Sequence, residues 1–171
     1  MMYIFIIICL LSQIILGDMA MGVSEEHLYN CFIYMFFHSG WLHLIINVLS
    51  LVILWKPIAK LWEKRYNKGR VWLWILCYLG SVLAGIICVG DVPTVGASGL
   101  VFFLLGVLLM LNPTIAQLKR YVWVGITVVA QIIIGHSNVK LHITTFVMGM
   151  LIIICRESIN RLNEYRGIYK Y

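Results

Sequence analysis

The chain has 171 residues, of which 62% are hydrophobic and 12% are charged, and its mean hydropathy is +0.95. A water-soluble domain of this length carries far more polar surface, so the composition excludes a soluble globular protein and indicates an integral membrane protein. The net charge of +6 does not by itself indicate a nucleic-acid partner, because the basic residues are confined to particular loops.

The apolar residues form six runs, which we interpret as helices because lipid requires each segment to satisfy its own backbone hydrogen bonds. Several runs are shorter than the roughly 20 residues that span a bilayer core, which suggests tilting, local thinning or a water-filled cavity. No internal repeat or long linker divides the chain, so we expect one all-α membrane domain over residues 1–171. The runs are 2–17, 41–55, 71–90, 95–111, 121–135 and 141–155.

The first run, 2–17, is interpreted as a membrane helix, and the alternative is a secretory signal. No Lys or Arg precedes its apolar stretch, and the exit "LGDMAMG" is a poor cleavage site. Both observations favour the membrane helix.

The five cysteines form no CxxC pair. All except Cys31 lie in apolar runs, where a free thiol behaves as a small hydrophobic group. We therefore expect neither a disulfide nor a cysteine metal site.

The charged residues alternate by loop. All Lys and Arg residues except Lys140 lie between runs two and three, between runs four and five, or after run six, whereas the other loops carry Asp18, Glu25, Glu26 and Asp91. The positive-inside rule then predicts six helices with a cytoplasmic C-terminus, and it explains the basic charge without a nucleic-acid partner. We expect a multi-pass protein of the cell membrane, plasma or inner.

Three runs that cross the membrane in the same direction carry polar residues near their outer ends. Run two carries His43 and Asn47, which share one helical face at i and i+4; run four carries Ser98, and run six carries His142. Each residue alone has a purely structural explanation. Ser98 could belong to a packing face of small residues, a lone histidine could lie at the membrane interface, and Asn47 could make a hydrogen bond between helices. Their coincidence at one depth indicates a functional site inside the bundle.

These residue types supply the parts of a nucleophilic acyl-transfer site. Ser98 would be the nucleophile, neutral His142 its base, and His43 and Asn47 hydrogen-bond donors to a developing oxyanion. No Asp or Glu lies in the three runs, so the pair would be a Ser–His dyad. No metal is expected, since His38, His43 and His142 have no carboxylate or cysteine partner and no HExxH pattern.

The same residues lie in three motifs, "FFHSGWLHLIIN", "GASGLVFFLLG" and "HITTFVMG". Over roughly residues 25 to 155 they resemble the His-x4-His-x3-Asn, Gly-x-Ser-Gly and sixth-helix histidine motifs of the rhomboid intramembrane serine proteases. The resemblance implies a six-transmembrane-helix bundle in which Ser98 is the nucleophile, His142 is the base, and His43, Asn47 and the Ser98 backbone N–H stabilise the oxyanion. It also implies membrane-protein substrates with a single span and helix-weakening residues, and it requires no cofactor.

Three further residues are expected to support the dyad. Phe102 follows Ser98 by four residues, so its ring can stack on the imidazole, and the resembling family carries an aromatic residue here. Gly106 and Gly149 lie about two turns beyond Ser98 and His142 and would let the two backbones approach closely. The alternatives are that Phe102 fills the core or faces lipid, and that the glycines face lipid.

Two positions depart from the family pattern. Tyr29-Asn30 stands where a Trp-Arg pair is usual in the loop after the first helix, which affects how that loop packs. Thr145 stands where a glycine is common, and its bulk is expected to loosen the fourth helix against the sixth.

The sequence leaves three classes of function open. The first is an intramembrane serine protease, and the second is a rhomboid-like pseudoprotease that binds membrane clients without cutting them. The third is a small transporter that uses His142 and His43 as a proton relay, but the intramembrane carboxylate or broken-helix pair expected of it is not visible.

Overall fold

A computed structural model describes residues 1–17, 21–90, 93–112, 122, 125–126 and 138–168. Five α-helices lie in this part of the chain: α1 (Met2–Leu16), α2 (Trp41–Tyr66), α3 (Arg70–Ile87), α4 (Ser98–Leu111) and α5 (Val139–Ile168). Two short 3₁₀ helices, Leu28–Phe32 and Tyr34–Phe36, lie between α1 and α2. The fifth predicted run, 121–135, lies outside the described residues apart from 122, 125 and 126, so a count of six spans remains a prediction.

Three of the described helices are long and apolar enough to cross a membrane. They are α2, α3 and the Val139–Leu162 portion of α5, whereas α1 and α4 are apolar but shorter. The described chain is therefore helical and rich in lipid-compatible segments, as expected for an integral membrane protein.

The ends of the helices differ from the ends of the apolar runs. α2 begins at the predicted residue 41 but continues through Pro57 to Tyr66, well past the predicted end at 55. Asn67 caps the helix after Tyr66, with a left-handed backbone of φ 47° and an N–H that donates to the Glu63 carbonyl. The end of an apolar run shows where contact with lipid ends. A helix can continue beyond that point as long as one of its faces stays buried, and here Ile58 and Trp62 are buried.

α4 lies at the centre of the bundle. Nearly all of its side chains are buried, which is the pattern expected of a helix that is apolar on every face. Its closest partner is α5, and it also packs against α2 and α3. The two helices that carry Ser98 and His142 therefore form the most closely packed pair described in the bundle.

The segment 21–40 packs against α1 and α3 and is bonded to the loop that leads into α4. An antiparallel bridge joins Val23 to Thr94, with both N–H···O distances at 3.0 Å. At the position that departs from the family pattern, Tyr29 is exposed, whereas buried Asn30 donates from Nδ2 to the Gly22 carbonyl at 3.0 Å. Asn30 thus fixes this loop by a hydrogen bond within it.

Candidate active site

The first residue of α4 is Ser98, three residues later than the predicted start of run four at 95. The preceding carbonyl, of Ala97, accepts hydrogen bonds from Leu100 N at 3.0 Å and Val101 N at 3.3 Å. The N–H groups of Ser98 and Gly99, which precede these two, have no acceptor within the helix, and the N-terminus of a helix carries a partial positive charge. This later start places the Ser98 side chain where a developing negative charge would be stabilised.

Gly96 gives the loop before Ser98 its shape. Its φ of +110° lies in a region that side-chain-bearing residues rarely adopt, and its N–H donates to the Tyr34 carbonyl at 3.1 Å. A Cβ added here would lie 2.6 Å from Cε1 and 2.8 Å from Nε2 of His43. Both the backbone conformation and the neighbouring imidazole therefore require glycine at this position.

Ser98 and His142 are brought together across the α4–α5 contact. His142 Nε2 lies 2.9 Å from Ser98 Oγ, which is hydrogen-bond distance. The two residues are 4% and 5% exposed, so the pair is enclosed by protein. If Nε2 accepts the serine proton, the imidazole carries its own proton on Nδ1.

Phe102 stacks on the His142 ring. The ring centroids are 4.3 Å apart and the planes are inclined by 10°. Phe102 is half-buried and lies one turn along α4 from Ser98. Its ring restricts the orientation of the imidazole, which is a role that the carboxylate has in a Ser–His–Asp triad.

The glycines allow the backbones of α4 and α5 to touch. A Cβ added to Gly106 would overlap the carbonyl oxygen of Phe146, and one added to Gly149 would overlap the carbonyl oxygen of Phe103. The contact is reciprocal, because each glycine faces the backbone of the other helix. Neither position has room for a side chain without separating the two helices.

Thr145, the second departure from the family pattern, is completely buried. Its Oγ1 donates to the carbonyls of Leu141 at 2.8 Å and His142 at 3.1 Å, so the hydroxyl is satisfied within α5. The backbone contact at Gly106 and Gly149 is retained beside it. The threonine hydroxyl thus turns back on its own helix, and the close approach of α4 and α5 at the two glycines stands beside it.

His43 and Asn47 lie beside the loop that leads to Ser98. His43 Nδ1 is 3.1 Å from Ser39 Oγ, which leaves Nε2 facing the Gly96 backbone. The Nδ2 atom of buried Asn47 is 3.5 Å from the Cβ position built on Gly96. Both predicted donors are therefore next to the backbone that precedes the serine.

His38 lies in the site although the sequence patterns assigned it no role there. Its ring packs edge-on against His43 with centroids 5.2 Å apart, and its Nε2 accepts the Ala97 N–H at 3.3 Å. Burial, with a smaller contribution from His43, lowers the pKa of His38 to about 3, so the ring is neutral at physiological pH. The sequence did contain a signal for His38, because it is the first histidine of "HSGWLH", the motif that also contains His43.

A family model described as "Rhomboid domain" matches residues 25–158, which is most of the chain and includes every residue of the site described above. No curated protein and no solved structure matches the chain significantly.

Proposed function

This chain belongs to the rhomboid family of membrane proteins, and on that premise we propose that it is an intramembrane serine protease. It would hydrolyse a peptide bond in, or just outside, the membrane segment of another protein. The observation that carries the proposal is the 2.9 Å hydrogen bond between Ser98 Oγ and His142 Nε2, made within a buried helix–helix contact. Such a distance favours a working nucleophile and base over the misaligned pair expected of a pseudoprotease.

In the first step, Ser98 Oγ bonds to the substrate carbonyl carbon while its proton passes to His142 Nε2. The carbonyl oxygen becomes an oxyanion, and the imidazole becomes an imidazolium. The tetrahedral species then breaks its C–N bond, and the leaving amine takes the proton from Nε2. An ester between Ser98 and the substrate acyl group remains.

In the second step, water attacks this ester with His142 as base. The water proton passes to Nε2, the C–O bond to Ser98 breaks, and the serine oxygen regains its proton from the imidazolium. The acyl fragment of the substrate is released with a new carboxyl terminus. The dyad returns to its starting state without a cofactor.

Two groups of donors would stabilise the oxyanion. The first is the Ser98 backbone N–H at the start of α4, where the helix dipole adds favourable charge. The second is His43 and Asn47, which lie against the loop before Ser98. If the Ser39 hydroxyl donates to His43 Nδ1 across their 3.1 Å contact, Nε2 carries a hydrogen and is a donor.

The proposed orientation places the beginnings of α2, α4 and α5 at the outer face. It rests on the distribution of basic residues, which places the C-terminus in the cytoplasm. The substrate helix would have to unwind there, because an intact helix keeps its carbonyls in its own hydrogen bonds. We therefore propose single-pass substrates that carry helix-weakening residues near this face.

The test uses the full chain, purified and reconstituted in liposomes, with a fluorophosphonate probe and a fluorogenic transmembrane peptide. Wild type should be labelled and should cleave the peptide, whereas Ser98→Ala and His142→Ala should each do neither. Because the two residues act as a unit, the double variant should be no worse than either single one. Ser50→Ala is the matched control, since this buried serine donates to the Ile46 carbonyl at 2.8 Å in α2. Labelling retained in Ser98→Ala, or an inert wild type, would refute the proposal.

A further inference from the structure

Asn138 determines how α5 begins. It immediately precedes the helix, and its Oδ1 accepts the Leu141 N–H at 3.0 Å, which is the hydrogen bond of an N-cap. Its backbone carbonyl accepts the His142 N–H at 3.1 Å. The backbone that carries the imidazole is therefore bonded directly to Asn138.

The same side chain also crosses to two other elements. Asn138 Nδ2 donates to Thr94 Oγ1 at 2.9 Å and to the Cys88 carbonyl at 3.2 Å. Cys88 ends α3, and Thr94 lies in the loop that leads to Ser98. Both amide hydrogens and the amide oxygen are thus used, each toward a different part of the structure.

Asn138 and Thr94 have the same sequence spacing from the two residues of the Ser–His pair. Asn138 is four residues before His142, and Thr94 is four residues before Ser98. Thr94 is in turn paired with Val23 through two backbone hydrogen bonds of 3.0 Å. One amide group therefore joins the loop before Ser98, the start of the helix that carries His142 and the end of α3, and the backbone of Thr94 connects this link to Val23.

We propose that Asn138 is a positioning residue that fixes the separation of Ser98 and His142. The proposal rests on the proteolytic function proposed above. The distance between Ser98 and His142 depends on how the starts of their two helices are held relative to each other. A displacement of about 1 Å between reacting groups can cost on the order of 10²-fold in rate, and the Asn138–Thr94 bond joins the two segments directly.

The competing explanation is that Asn138 only caps α5, and serine at this position separates the two roles. Serine is an N-cap comparable to asparagine, but its short side chain cannot reach Thr94 and Cys88. Asn138→Ser should therefore lower kcat by about tenfold or more with KM within about twofold and little change in Tm. Asn138→Ala also removes the cap, so it should lower both kcat and Tm.

A double-mutant cycle isolates the bond to Thr94. Thr94→Val removes the acceptor hydroxyl, whereas Thr94→Ser retains it and should restore most of the activity. Combining Asn138→Ser with Thr94→Val should cost less than the product of the two single losses, because both remove the same contact. Asn160→Ser makes the same substitution near the other end of α5 and should leave kcat unchanged.

Hydrogen exchange of the purified protein gives a readout that does not depend on activity. Amides of the segment 94–101 should exchange faster in Asn138→Ser than in wild type, because the loop loses its link to α5. Wild-type kcat in Asn138→Ser, or additive losses in the cycle, would overturn the positioning role. A wild type that neither cleaves nor reacts with the probe would instead overturn the proteolytic function, while the exchange measurement would still report on the link.

Discussion

Replacing Phe102 with leucine should lower kcat by about two- to twelvefold and leave KM unchanged. The substitution removes the stack of Phe102 on His142, in which the ring centroids are 4.3 Å apart and the planes are inclined by 10°. Aromatic pairs contribute about 0.5–1.5 kcal/mol beyond area burial, and about 1.36 kcal/mol corresponds to a tenfold change in rate. In the proposed mechanism the imidazole becomes a cation, and a ring face attracts a cation, so the loss should be greater in the transition state than in the ground state.

The assay is steady-state cleavage of a fluorogenic transmembrane peptide in liposomes, with Tm measured on the same preparations. Leucine keeps most of the apolar volume, so Tm should change little. Phe102→Tyr is the matched control, since it keeps the ring face and should retain most of the activity. Equal kcat in the leucine and tyrosine variants at matched Tm would remove Phe102 from the site.

Two further changes test separate parts of the site. Asn47→Ala should lower kcat by about 10²–10³, the scale for one oxyanion donor, with KM unchanged; an effect on KM alone would reassign Asn47 to substrate contact. Gly106→Ala should abolish fluorophosphonate labelling and lower Tm, because the added Cβ overlaps the Phe146 carbonyl oxygen and forces α4 away from α5. Gly69→Ala, where a Cβ meets no atom within 4 Å, is its control, and full labelling in Gly106→Ala would refute the packing argument.

Hydropathy located the helices in the described part of the chain better than it located their ends. The beginning of α2 coincides with its apolar run, but its end at Tyr66 does not, because burial of one face replaces lipid contact after Lys56. α4 begins at Ser98, three residues after the start of its apolar run at residue 95, so here the helix is shorter than the run. Residues 95–97 are apolar or small, yet Gly96, with its positive φ, keeps them outside the helix. A hydropathy pattern contains no information about such a backbone turn.

In the site, too, some residues could be predicted from sequence patterns and others could not. Motif spacing predicted Ser98, His142 and Phe102 as site residues, and the structure brings their three side chains into contact. Asn138 and Tyr34 could not be selected in this way. Their contacts with Thr94 and the Gly96 N–H join segments far apart in sequence, and they depend on how loops fold over the helix ends.

The contacts of the proposed site fall into two mechanical groups. In the proposed mechanism, proton transfer between Ser98 and His142 would depend on the packing of α4 against α5, where the glycine contacts and the Phe102 stack lie. Oxyanion stabilisation would depend on the loop before α4, where Gly96 brings the backbone against His43. Asn138 is bonded to both groups, because it caps α5 and binds Thr94 in that loop. A helix-packing variant should therefore slow the probe reaction and peptide cleavage alike, since both begin with deprotonation of the serine. A donor variant should affect most strongly the steps in which negative charge develops on the substrate oxygen.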